Sequence, residues 1–297
     1  MAADSRTRMS KHLAFRHRRE PSRTAELTTF LVASLTPPLK EKANGMFRWV
    51  TCQLSALENC LDYPTLRKEL TSLPRTLDEI YARILDNLPH EHEHLTRRIL
   101  QFLTFSERPL RIEEAVDAIA VHTDGRPRFD RRNRMPVPEE ISRYCSSLVA
   151  VTRADRDRGE TTTELQLAHF SVKEYLLCDR LQAGFAEDFD ETVARASIAQ
   201  VCLAYLLELD QGLPTMELRQ SYWLAQYSAR YWTDHAVVAE SSSENVRSLI
   251  TDLFSCEETR ANCCRLYDPD RWWKYGFDKV QPRIASALYY TSLGFLT

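Results

Sequence analysis

Glycine is scarce in this 297-residue chain: it stands only at positions 45, 125, 159, 184, 212, 276 and 294, so no two lie closer than 18 residues. That spacing excludes several active-site architectures. A phosphate-binding loop needs glycines five apart ahead of Lys-Ser/Thr, and a dinucleotide fold needs G-x-G-x-x-G, because the backbone must approach phosphate with no Cβ in the way. A G-x-S-x-G nucleophile elbow fails on the same count. Long apolar runs are also missing. The longest, Ile198 to Leu209, is twelve residues and is interrupted by Gln200 and Glu208, whereas a bilayer needs roughly 20. Charge of one sign is not in excess either. With 39 basic against 42 acidic residues the net charge is -3, which gives no general field for nucleic acid or an anionic membrane. The eight cysteines form no C-x-x-C pairs and follow no apolar leader, so they read as reduced thiols in the cytoplasm.

What is present is helical periodicity. Residues 1–24 carry seven Lys/Arg and two acids with little apolar pattern, as in a disordered basic tail; the Arg and Ser content also suits an import presequence, but the apolar face is weak. Apolar residues recur at helical intervals from Glu26 to about Leu61, broken by Pro37 and Pro38. Thr76 and Glu79 form a capping box ahead of a face made by Leu77, Ile80, Tyr81, Ile84 and Leu88, and Pro89 closes that helix. A further helix is expected from Glu91 to about Ser106 on Leu95, Ile99 and Leu103. Then the pattern changes. Pro109 to Arg111 is extended, a helix bears Ile112, Ala115, Val116 and Ile119, and a solvated arginine-rich loop runs from Asp124 to Arg134. After a short helix from Pro138, two β-rich runs, Ser147–Thr152 and Thr162–Ala168, should pair through the turn Arg153–Thr161. Ser171 and Glu174 make a second capping box for a helix that buries Val172, Tyr175 and Leu176. Helices followed by a two-stranded wing are the layout of a winged-helix domain.

Four segments carry a resemblance: KANGMFRWV at Lys42–Val50, LPRTLDEIYARIL at Leu73–Leu85, RPLRIEEAVDAIAV at Arg108–Val121 and LAHFSVKEYLL at Leu167–Leu177. Together they resemble fungal NACHT-ankyrin proteins, in which a P-loop NTPase domain is followed by a helical lid and by the winged helix named for GPI inositol-deacylase. LAQYSARYWTDHA at Leu224–Ala236 is similar to the helical spacer of that family, and SALYYTSLGFLT at Ser286–Thr297 to the first helix of its ankyrin array. The resemblance implies a mostly α chain: a basic tail (1–24), a lid-like helical region (25–90), the winged-helix domain with its small hairpin wing (91–184), a helical spacer (185–282) and the truncated start of an ankyrin-like repeat (283–297). It also implies a P-loop domain ahead of Lys42 and repeats after Thr297, so a segment of a longer architecture is expected.

The resemblance bears on one site residue. In the wider STAND class of signalling ATPases, a winged-helix histidine in a Met-His-Asp motif contacts the β-phosphate of ADP. Ala168-His169-Phe170 occupies a similar place before a helix N-terminus, where anions are favoured, so the resemblance implies a nucleotide-phosphate sensor at His169, with Phe170 where the motif has Asp. A histidine packed beside the wing and bonded to a carbonyl is the other reading. His90, His92 and His94 alternate with Glu91 and Glu93, but residues two apart point to different faces of a helix, and Cys256, Cys263 and Cys264 lack zinc spacing. Trp223, Tyr227, Tyr231 and Trp232 recur at helical spacing, as packing residues do. The expectation is therefore a non-catalytic regulatory segment with no cofactor, no metal and no membrane span. It would relay conformational change between a NACHT NTPase and ankyrin-type repeats as protein partners. A nucleic-acid-binding winged helix and a residual nucleotide-sensing module are the alternatives; for the first, the helix from Pro138 offers only Arg143 against Glu139 and Glu140.

Overall fold

The computed structural model describes residues 74–145, 147–156, 160–181 and 183–267, with Arg48, Trp49, Cys52, Asp62, Pro64, Thr65, Lys68, Glu69 and Ser72. The expected tail (1–24) and repeat-like segment (283–297) lie outside these residues, as do nearly all positions of the helices expected between Glu26 and Leu61. The chain divides into two compact units, 1–80 and 81–297, and the division falls within helix α1 (Leu77–Asp86). In the first unit Trp49 is fully buried and donates its indole N–H to the Pro74 carbonyl at 3.0 Å. The α1 cap is close to the expected box. Glu79 N–H donates to Thr76 Oγ1 (3.2 Å), and the Glu79 carboxylate reaches back to the N–H of Arg75 (2.6 Å), one residue before the cap.

The second unit begins as a winged helix. Helix α2 (His90–Phe105) leads through the short strand β1 (Leu110–Arg111) to α3 (Ile112–Ala120), a 3-10 helix (Pro138–Cys145) and the hairpin β2 (Val149–Arg156) and β3 (Glu160–Leu167). The sheet is antiparallel in the order β1-β3-β2, with Leu110 opposite Leu165 and with β2 and β3 in register from Val149↔Leu167 to Arg156↔Glu160. The ribbon is longer than the sequence pattern proposes. Arg153 and Ala154, assigned there to the turn, pair with Thr163 and Thr162, because β-branched threonines favour the ladder over a loose turn. Helix α2 also differs from its expected stripe: Thr96, Ile99, Leu100, Gln101, Phe102 and Thr104 are buried while Leu95 and Leu103 are half-buried. It has protein on more than one side. Ile99 and Phe102 face the winged-helix core with Leu110, Ala115 and Leu165, and Gln101 donates to the Asp188 carbonyl at 2.7 Å.

Beyond α4 (Phe170–Leu176), a short turn α5 (Ala183–Ala186) and the 3-10 turn Glu187–Phe189 lead into α6 (Glu191–Leu207), which carries most of the longest apolar run of the sequence. From Ala194 onward its alanines, with Ile198 and Val201, are buried, while Val193, Ser197 and Gln200 keep one stripe in contact with solvent. It packs against α2, α8 (Ala225–Ala239) and α9 (Glu244–Ser255), and α7 (Thr215–Ser221) and α10 (Glu257–Leu266) complete the bundle. Asp190 caps α6 by accepting from the N–H groups of Thr192 and Val193 at 2.9 and 3.3 Å. No helix among the described residues is long and apolar enough to cross a membrane.

A buried histidine in this bundle has a measurable consequence. His235 on α8 is fully buried; its Nδ1 accepts from Arg195 at 3.4 Å, so the proton sits on Nε2 and is donated to the Tyr227 hydroxyl oxygen at 3.0 Å. Burial, assisted by the Arg195 charge, depresses its pKa to about 4. The unfolded imidazole titrates near ~6.5, so the unfolded chain takes the proton first as pH falls. The stabilisation is intact above that value and declines by on the order of 3 kcal/mol as pH drops through the interval to about 4. Urea denaturation across this interval is expected to show that loss in the natural chain and a flatter profile in His235→Gln; parallel profiles would refute the assignment.

Candidate functional site

The base of the wing presents the histidine singled out by the sequence. His169 ends the extended chain after β3 and caps α4: its Nδ1 accepts from the N–H of Ser171 at 3.2 Å and lies 2.7 Å from Ser171 Oγ. Ser171 Oγ is also 2.8 Å from the Tyr81 hydroxyl. One proton arrangement satisfies the chain of three, with Tyr81 O–H donating to Ser171 Oγ, Ser171 O–H donating to His169 Nδ1, and the His169 proton on Nε2. That leaves an N–H donor on a half-buried ring, beside a Phe170 that is 68% exposed with its ring centroid 4.3 Å away. Two expectations change. The α4 cap is His169 and not Ser171, because the extended backbone of His169 brings its imidazole over the first free N–H groups of the helix. Phe170 makes no polar support for the imidazole; Ser171 supplies it, and His169 bonds a hydroxyl and an amide N–H where the alternative reading has a carbonyl.

The other sequence candidates separate. His90 is fully exposed and lies 3.5 Å from Glu93, whereas His92 meets the Tyr144 ring edge-on at 5.0 Å, and no group of three metal-ligating side chains converges among the described residues. Burial raises the pKa of Cys263. Tyr227 and Trp232 are core residues. The 3-10 helix Pro138–Cys145 buries Ile141 and Cys145, and its Arg143 is engaged by Glu140 at 3.0 Å. Its outer surface has little charge to offer a phosphate backbone.

The arginine-rich loop is the largest correction: it is not simply solvated but grips the bundle. Gly125, at φ +87°, turns the loop back. Arg128 donates its backbone N–H to Glu208 (3.1 Å) and its guanidinium to Asp252 on α9 (3.2 Å). Arg134 makes a two-pronged bond to Asp117 on α3 (2.6 and 2.8 Å), donates to the Ser221 carbonyl (2.7 Å) and lies over the Trp223 ring at 4.0 Å. Asp117 is completely buried. Its carboxylate also accepts from Tyr205 O–H on α6 (2.5 Å) and from the N–H groups of Trp223 (2.9 Å) and Leu224 (3.4 Å). One turn earlier, fully buried Glu114 receives a two-pronged bond from Arg108 (2.7 Å each) and further bonds from Arg111. Burial alone would raise the Glu114 pKa; Arg108 and Arg111 hold it below the ordinary carboxylate value instead.

Glu114 and Asp117 thus form a buried acidic stripe that joins the winged helix to α6 and to the Ser221–Leu224 turn. The sequence reading passed over them, yet the signal was there: within Ile112-Glu-Glu-Ala-Val-Asp-Ala-Ile-Ala120, two acids three apart lie next to the apolar positions, with Arg108 and Arg111 just ahead.

Comparison with known proteins agrees with this architecture. Residues 87–188 match the family described as GPI inositol-deacylase, winged helix domain. The chain is similar to azaphilone pigments biosynthesis cluster protein L of Monascus ruber, at 34% identity over 260 residues that cover 83% of this chain and 54% of that protein. It is similar also to vegetative incompatibility protein HET-E-1 of Podospora anserina, at 24% identity over 253 residues, 75% of this chain and 17% of the relative. The chain therefore spans about half the length of the first relative and about a sixth of the second. No solved structure matches it. Residues 87–188 are thus a winged-helix domain within a mostly α chain.

Proposed function

We propose that this chain is a non-catalytic regulatory segment that passes a conformational change between an NTPase domain of the NACHT type and a recognition array such as ankyrin repeats, acting in the cytoplasm. The observation that carries the reading is the buried acidic stripe of α3. A relay needs a stiff element between its two ends, and three arginines closed on two desolvated carboxylates make the winged helix and the following bundle move as one body. The glycine spacing supports the absence of P-loop nucleotide hydrolysis in this segment, since no stretch of it carries the closely spaced glycines that wrap a triphosphate. Similarity to a vegetative incompatibility protein and the resemblance to NACHT-ankyrin proteins point the same way.

The free Nε2–H of His169 favours one second reading, a nucleotide-sensing module in which that donor meets a phosphate. The two are separable. Under the relay reading the purified chain turns over no ATP, and ADP leaves its melting temperature unchanged. An ADP-induced rise that His169→Ala abolishes would establish the second. The substitution by itself should cost about 1 kcal/mol through the lost helix cap.

Stiffness is tested at Asp117. Asp117→Asn removes the countercharge of the half-buried Arg134 and leaves its amide facing donors placed for a carboxylate, which should cost about 3 kcal/mol, while Asp117→Leu combined with Arg134→Met should recover much of it. Hydrogen exchange should then show protection falling in step across α3 and α6. Were α6 and α8 to keep natural protection while α3 opens, the one-body relay would be wrong.

A further inference from the structure

A groove of about 470 Å³ runs beside the solvent-facing stripe of α6, lined by Arg98, Thr123, Thr192, Ser197, Gln200 and Ser243 among others. That volume suits a small molecule. Its lining combines hydroxyl and amide groups with the apolar Val193 and Ala196, one cation and one carboxylate.

Arg98 is the unusual member. Its Nη1 donates to the carbonyls of Ala118 (3.3 Å) and Val121 (2.5 Å) at the end of α3. Its Nε and Nη2 have no partner among the described residues, and no carboxylate there lies within ion-pair distance; Asp124 acts on it only from further away. The other arginines gathered at the junction, Arg108, Arg111, Arg128 and Arg134, each have an acid. A half-buried guanidinium that has no acid of its own, opens on a groove and leaves the donors of Nε and Nη2 unused is suited to an anionic ligand. Ser197 and Gln200, three apart, stand on the same side of α6; Thr192 lines the groove from the first turn, and Thr192 and Ser197 can each donate a hydroxyl proton. Ser243 Oγ accepts from Val246 N–H (3.4 Å) and lies 3.5 Å from the Gln200 amide, so its own proton is also available. One carboxylate belongs to the lining, that of Asp190, and it is engaged by the N–H groups of Thr192 and Val193 as the α6 cap.

We propose that this groove binds a small ligand through a single oxyanion, a phosphoryl or carboxylate group held by the unused edge of Arg98 and the hydroxyls of Ser197 and Ser243. The Asp190 carboxylate sets the selectivity, because it repels a second anionic centre. Compact monoanionic groups therefore bind better than polyphosphates. The site is independent of His169 and of the relay.

The test is titration of the full chain, labelled with nitrogen-15, with sodium phosphate, sodium acetate and tripolyphosphate, each against sodium chloride of equal ionic strength. Saturable shifts confined to the amides around Thr192–Ser197 and Ser243 are expected. At ten times the dissociation constant the melting temperature should rise by roughly 3–5 °C. Phosphate alone acting assigns a phosphoryl group, acetate alone a carboxylate, and tripolyphosphate should be the weakest. Arg98→Gln should abolish the response. Because that change also strips contacts from α3, Ser197→Trp, which fills the groove from half-exposed α6 surface, is the second variant. Shifts that sodium chloride reproduces, or that persist in Ser197→Trp, would overturn the proposal.

Discussion

The carboxylate of Asp117 receives donors from a guanidinium, a phenol and two main-chain amides, drawn from the Arg134 loop, from α6 and from the turn before α8. A charge with no exposure would be prohibitively costly if any of these were absent. The positions of the loop, the helix and the turn are consequently set by one another. Tyr205 shows the logic from the donor side: burial and the neighbouring Asp117 charge push its pKa well above the usual phenol value, so it stays a proton donor.

Around this point the rest of the second unit is arranged by ordinary means. Small side chains on α6 allow α8 and α9 close approach, and the aromatic cluster of Phe129, Tyr205 and Tyr222, with ring centroids 4.6 to 6.1 Å apart, fills the space between loop and bundle. Guanidinium groups then lie on aromatic faces, Arg134 on Trp223 and Arg108 on Tyr227, so the charged groups are sheltered by apolar surface. Burial thus strengthens the same hydrogen bonds whose loss it would penalise.

Much of the fold was legible because it is written in local pattern. The apolar positions of α3 and α4, the hairpin, and the cap at Thr76 follow from spacing alone. What escaped depends on residues far apart in sequence. Nothing near Arg134 says that it meets Asp117 and Ser221, and a run of arginines between two helices reads as a solvated loop until its distant partners are known. The cap at His169 escaped for a different reason: imidazole is an uncommon capping group, and Ser171 offered the more familiar pattern. For the site itself, the family resemblance could nominate His169, whereas the free edge of Arg98 depends on neighbours distant in sequence.

The family-matched segment closes at residue 188, but the donors that satisfy Asp117 from Tyr205, Trp223 and Leu224 all lie beyond that point. The stretch that matches the family and the stretch that satisfies its buried acid therefore have different ends. Shuffling such a winged helix into a new protein would succeed only if its acid carried its helical escort along, or if the acid were exchanged for an apolar residue in the same event.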